Sequence, residues 1–220
     1  MTRSASSGSF LFPLLPLPNF VLFPGTFLPL NIFESRLRAL VTEATLDEGL
    51  LVQALLRPGW ETDYHRYPAV HNVACLARIV TVERIADGRL NILLEGIDRV
   101  EILDEVRDRL FRRAVVRLLP RRSRPAPIQR RRLFALLEAI FTVAGKNLPP
   151  DLFERLETIS NDDLLADTLA HILHISPEEK QELLEMDSAG SRLNSVCNNI
   201  LQIIRRSTSG RGTDTKEFPE

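Results

Sequence analysis

The sequence predicts an α+β protein: a mostly antiparallel β domain carrying one helix, followed by a four- or five-helix bundle. Three observations lead there. The stretch LFPLLPLPNFVLFPGTFLPLNIFESRLRAL, Leu11 to Leu40, crowds apolar residues around Pro13, Pro16, Pro18, Pro24 and Pro29. β-rich runs then recur as far as residue 119, punctuated by Pro58-Gly59 and Asp87-Gly88. Past PRRSRPAP (Pro120 to Pro127) the apolar residues change to helical spacing.

An interior proline costs a helix about 3 kcal/mol and removes a backbone donor, so the opening segment cannot be one long helix. It reads as two short strands about a turn at Pro24-Gly25, where proline presets φ and glycine accepts the positive φ of a type II turn. Asn31 and Glu34, three apart, suggest a capping box with Asn as cap. Phe33, Leu37, Leu40, Val41 and Ala44 then give one apolar helical stripe. Leu50 to Leu56 reads as a buried strand, and Trp60 to Tyr67 as an aperiodic aromatic loop. Val73 to Val82 and Leu90 to Leu94 face each other across Ala86-Asp87-Gly88-Arg89, which predicts a type I′ hairpin. Gly96 interrupts the next run, Ile97 to Leu103, where a bulge or bend is expected. Arg113 to Leu119 closes a set of about six strands.

Residues 121–127 read as a semi-rigid linker. Leu133, Leu136, Leu137, Ile140, Phe141 and Ala144 form a stripe ending at Gly145, and Pro149-Pro150 opens a short helix with Leu152, Phe153 and Leu156. Leu165, Leu169, Ile172 and Leu173 line another. Ser176-Pro177-Glu178-Glu179 combines serine at N-cap, proline at N1 and glutamate at N3, the strongest cap in the chain. Leu193, Val196, Cys197, Ile200, Leu201 and Ile204 make the last stripe. The predicted organisation is a tail over 1–10, a β domain over 11–120, the linker 121–127, a helical domain over 128–206, and a tail over 207–220.

The order Leu22-Phe23-Pro24-Gly25, Leu28-Pro29-Leu30, Ile32-Phe33-Glu34 resembles the amino-terminal domain of the Lon proteases. It looks most like the small bacterial proteins that consist of that domain without ATPase or protease domains. The resemblance continues through Val73 to Ile79, Asp87-Gly88 to Gly96 with Arg99, and Ser176 to Gln181. It implies that the β domain is a twisted, partly closed pseudo-barrel of the PUA-like type.

Of 220 residues, 44% are hydrophobic and the net charge is −1, ordinary values for a globular chain that give no general reason to expect a nucleic-acid or membrane surface. Cys75 and Cys197 form no C-x-x-C pair, which suits a reducing compartment, and the cytoplasm is the expected location. The apolar amino-terminal run is too broken by proline for a signal-peptide core or a membrane span.

A Lon protease couples an ATPase to a serine–lysine peptidase, and a chain resembling it could carry either site. The nearest approach to a phosphate-binding loop, Val143-Ala144-Gly145-Lys146-Asn147, lacks the leading glycine and has Asn147 where Ser or Thr should stand. There is no G-x-S-x-G elbow, and Gly190-Ser191 lies in an inter-helix connection. His171 and His174 are three apart but have no further zinc ligands, so they read as a surface pair near a helix end. His65 and His71 form no constellation. Asp162-Asp163 and Glu178-Glu179 open helices, where negative charge is favourable in any case. The expectation is no enzyme, no metal and no cofactor.

Two binding candidates remain. Trp60, Tyr64 and Tyr67 hold the only tryptophan and both tyrosines in one loop, the profile of an interface anchor or of a plug that seals the barrel. Arg121, Arg122, Arg124, Arg130, Arg131 and Arg132 form a basic run, but no aromatic residue is interleaved before Phe134, which favours a solvated linker over an RNA site. The resemblance implies a non-catalytic module that binds exposed polypeptide segments, as an adaptor or holder, with a Lon-type protease as one potential partner; the clustering of Trp60, Tyr64 and Tyr67 makes them the candidate contact residues. An RNA-binding module using Arg121–Arg132 is the competing class.

Overall fold

The computed structural model describes residues 8–62, 64, 67–120, 126–143 and 150–209. Six strands and one helix come first: β1 (Ser9–Leu17), β2 (Phe27–Ile32), α1 (Ser35–Leu46), β3 (Leu50–Leu55), β4 (Val73–Arg84), β5 (Leu90–Val106) and β6 (Arg113–Leu118). Five helices follow: α2 (Pro127–Val143), α3 (Pro150–Thr158), α4 (Asp162–Ile172), α5 (Pro177–Glu185) and α6 (Ala189–Ser209). The α+β class stands.

β1 and β2 flank the expected Pro-Gly turn but do not pair with each other. Gly25 has φ 74°, Thr26 N–H reaches the Phe23 carbonyl at 3.2 Å, and the Thr26 hydroxyl donates to the same oxygen at 2.8 Å. β1 instead pairs in parallel with β3 and antiparallel with β6, while β2 pairs with β5. With β3–β4, β4–β5 and β5–β6 antiparallel, the pairings run in a ring β5-β4-β3-β1-β6-β5, with β2 added outside on β5. The ring explains why β1 reads as a nearly continuous apolar run. Leu14 faces one cluster, with Val52, Val100 and Val116, while Leu15 faces a second, with Leu22, Leu40 and Leu94.

Several local expectations change. Ser9 and Phe10 are not tail: they pair with Arg117 and Val116. Asn31 does not cap α1, because its amide is spent across the strand pair on Asn91 at 2.7 Å; Glu34 is the cap residue and makes no side-chain cap bond. The hairpin at Asp87-Gly88 is not type I′, since Gly88 (φ 83°) has positive φ and Asp87 does not. Gly88 N–H bonds to Ile85 O and Ile85 N–H to Arg89 O, both at 2.9 Å, which is a type I turn followed by a glycine bulge. The two runs about Gly96 are one strand, β5, whose register against β4 shifts beside that glycine. α6 runs on to Ser209, so residues 207–209 are helix rather than tail; the proposed linker residues 121–125, the stop at Gly145 and the tail from 210 lie outside the described residues.

The chain divides into two compact units, Met1–Arg121 with Asp167–Met186, and Arg122–Ala166 with Asp187–Glu220. The first therefore includes α5 and the end of α4, which the sequence reading placed in the helical domain. The cause is polar. Buried Gln181 donates to the Val73 carbonyl at 2.9 Å, and Arg99 donates to the Glu185 carbonyl at 3.3 Å. Ser176 caps α5 as predicted, accepting from Glu179 N–H at 3.1 Å while the Glu179 carboxylate accepts from Ser176 N–H at 2.8 Å. In the second unit α2 packs on α6, and Arg192, almost wholly buried, is answered by Asp163.

Candidate functional site

The aromatic trio divides. Trp60 opens a turn of 3₁₀ helix, Trp60–Thr62, and its ring meets Tyr64 edge-on at 5.6 Å. Both are partly buried against the cluster lined by all the ring strands, so they close that cluster over. Tyr64 is held in place by α1: its hydroxyl donates to Glu34, and the Arg36 guanidinium lies 4.8 Å from its ring centre. Arg36 Nε in turn donates to Glu34 at 2.8 Å. Burial pushes the Tyr64 phenol above its usual value, and the hydrogen bond to the Glu34 carboxylate adds to that rise.

Tyr67 stands apart. It is 39% exposed and has φ 69°, the only non-glycine residue with positive φ among those described. For a bulky side chain that conformation costs on the order of 1–3 kcal/mol, and such strain gathers at ligand-binding positions. Its ring borders a cavity of about 60 Å³ with Leu14, Leu37, Leu110 and Phe111. Leu110 is 80% exposed at the mouth. The Arg107 guanidinium lies over the Tyr67 ring at 5.0 Å.

Arginines crowd this region with unequal partners. Arg112 is buried and forked onto Glu105 at 2.6 and 2.8 Å, with its remaining nitrogen donating to the Pro68 carbonyl at 2.8 Å. Arg36, which also lines the cavity, is answered by Glu34. Arg113 is answered by Asp108, and Arg109 stands 4.0 Å from Glu43. Arg107 pairs with no carboxylate among the described residues. None of these arginines was singled out in the sequence, because the Arg107–Arg113 stretch has no periodicity and its roles depend on which strand each residue faces. Gln53 was hidden in the same way inside an apolar run. It is buried, accepts from Leu22 N–H at 2.9 Å and donates to the Phe20 carbonyl at 2.8 Å, fixing the β1–β2 connection.

The other candidates resolve into structure. Arg130 donates to the Ile159 and Glu157 carbonyls at 2.7 and 2.9 Å and to Asp162, while Arg132 reaches Asn194 and Asn198. Arg121, Arg122 and Arg124 lie outside the described residues, as does His65. His171 and His174 do not share a helix face, since α4 ends at Ile172. His171 is half-buried; burial, with Lys180 beside it, lowers its pKa below 6.5 despite a hydrogen bond to the Phe27 backbone. Among the described residues no cluster of three or more His, Cys, Asp or Glu side chains could hold a metal ion, and no helix is long and apolar enough to cross a membrane.

The family model of the ATP-dependent protease La (LON) substrate-binding domain matches residues 12–202. The chain belongs to the Lon substrate-binding domain family. It is 31% identical over 187 residues to a Lon protease of Xanthomonas oryzae pv. oryzae, covering 82% of this chain and 22% of that protein. It is 30% identical over 201 residues to a Lon protease of Paraburkholderia phytofirmans, covering 88% and 25%. The chain thus spans about a quarter of the length of these relatives. Among solved structures, the N-terminal domain of the Mycobacterium avium complex Lon protease superposes with TM-score 0.70 at 20% identity, covering 87% of this chain and 98% of that one. A Lon N-terminal domain protein from Xanthomonas campestris gives 0.64 at 23%, covering 86% and 98%. At those identities the likeness establishes the fold.

Proposed function

We propose that this Lon-family domain is a non-catalytic recognition module that binds exposed, apolar polypeptide segments in the cytoplasm, as an adaptor or holder linked to ATP-dependent proteolysis. The observation that carries this reading is the substrate-binding family match across residues 12–202. It is supported by the strand ring, which we read as the PUA-like barrel, and by the partly exposed Tyr67 beside a small cavity lined by apolar side chains and two arginines. The cavity lies in the β-rich unit. A Lon-type protease is the partner class that the relatives suggest. The RNA-binding alternative finds no support: Arg130 and Arg132 are engaged within their own unit, and Phe134, the aromatic ring beside Arg130, is itself packed edge-on against Phe153.

The test is a titration of a labelled, permanently unfolded polypeptide, the same polypeptide in its folded form, and a single-stranded RNA. The expected result is binding of the unfolded form at about micromolar affinity, roughly −8 kcal/mol, with little for the other two. Binding confined to RNA, steeply salt-dependent and lost on changing Arg130 and Arg131 to alanine, would overturn the reading.

A further inference from the structure

We infer that the cavity under Tyr67 is the anchor subsite for one apolar side chain of an extended polypeptide, and that Arg107 selects segments with an acidic residue next to that anchor. The inference rests on the polypeptide-binding reading above and gives it an address and a sequence preference.

Three independent features meet at this place. The first is shape: Leu14, Leu37, Leu110 and Phe111, together with the Arg36 and Arg112 side chains, line a cavity of about 60 Å³, room for the end of one side chain rather than for a cofactor. The second is backbone: Tyr67 is held at φ 69°, where a side chain is unfavourable, so the fold keeps an aromatic ring at the mouth against a local preference for glycine. The third is charge. Glu34 answers Arg36, Glu105 answers Arg112 and Asp108 answers Arg113, which leaves Arg107 stacked on the Tyr67 ring with its charge unmatched among the described residues. An ammonium-bearing flank would meet that guanidinium as a like charge, whereas a carboxylate would complete the pairing pattern of its neighbours.

Leu110 completes the case. It sits at 80% exposure on the rim of the cavity, where an incoming side chain can reach it.

The experiment uses the full chain and labelled, unstructured peptides of equal length, each with a central leucine flanked by glutamates, serines or lysines. Wild type should prefer the glutamate-flanked peptide over the serine-flanked one by roughly twofold to fivefold, with the lysine-flanked peptide weakest. Raising salt should shrink that spread. Arg107→Glu should reverse the order. Tyr67→Gly and Leu110→Ser should weaken all three peptides by on the order of tenfold. Leu110→Ser should leave thermal stability unchanged because Leu110 is exposed, and Tyr67→Gly should still unfold cooperatively, the relief of the positive φ offsetting part of the packing lost with the ring. If wild type binds no unfolded polypeptide, the function itself is refuted. If wild type binds and all three variants bind identically to it, the module reading survives and this subsite is wrong.

Discussion

Replacing Gly96 with alanine should unfold the β-rich unit at markedly lower temperature. A Cβ there would lie 2.1 Å from the Phe23 carbonyl oxygen, 2.8 Å from its carbon and 3.1 Å from Cys75 Sγ. The obstacle is backbone, so no rotamer change relieves it, and reaching ordinary contact at 3.4 Å needs more than an ångström of retreat. That retreat breaks the bonds by which Gly96 holds the turn: its N–H to Thr26 O at 2.9 Å and its carbonyl to Gly25 N–H at 2.8 Å. Two lost hydrogen bonds at about 1 kcal/mol each, with overpacking of about 1–3 kcal/mol, give a loss of at least ~3 kcal/mol. At roughly 2–4 °C per kcal/mol for a chain of this size, Tm should fall by roughly 6–12 °C or more. Trp60, the only tryptophan, lies in the same unit and reports its unfolding by fluorescence. Gly190→Ala is the matched control. Its Cβ would meet the nearest atom at 3.8 Å near the start of α6, so the change should be neutral or stabilising by up to about 1 kcal/mol. A Gly96→Ala protein melting with wild type would show that the Phe-Pro-Gly turn does not seat on β5.

Three further outcomes are expected. Glu105→Gln leaves the Arg112 guanidinium buried with its charge unanswered and should cost about 2–4 kcal/mol in urea unfolding, the partial exposure of Glu105 keeping it at the lower end. Ser176→Ala removes the capping box of α5 and should cost about 1 kcal/mol, read as reduced hydrogen-exchange protection in 177–185. His171 has a folded pKa below 6.5, so the stability tied to its neutral form is complete above pH 6.5 and is lost as pH falls through the lowered value. His171→Gln should therefore flatten the melting temperature against pH below 6.5 while leaving it unchanged in shape above.

Legibility followed the range of the interactions. The Pro24-Gly25 turn and the Ser176 cap are set by neighbours within three residues, so composition and spacing revealed both. Strand partners were not legible. The parallel pairing of β1 with β3 depends on contacts across 38 residues of sequence, Leu14 against Val52. α5 shows the same limit from the other side. Its cap is local, but its place against β4 is decided by Gln181, a residue with no visible partner in the sequence. The aromatic loop was found by composition alone. Dividing it required the positive φ of Tyr67 and the Glu34 carboxylate that holds Tyr64, neither of which leaves a periodic trace.

The most direct test of polypeptide recognition is to map backbone NMR shifts on adding an unfolded polypeptide to the full chain. The account predicts saturable changes at Leu14, Leu37, Tyr67, Arg107 and Leu110, with Arg130 to Arg132 still. Changes confined to the arginines of α2, or none at all at saturating polypeptide, would contradict it.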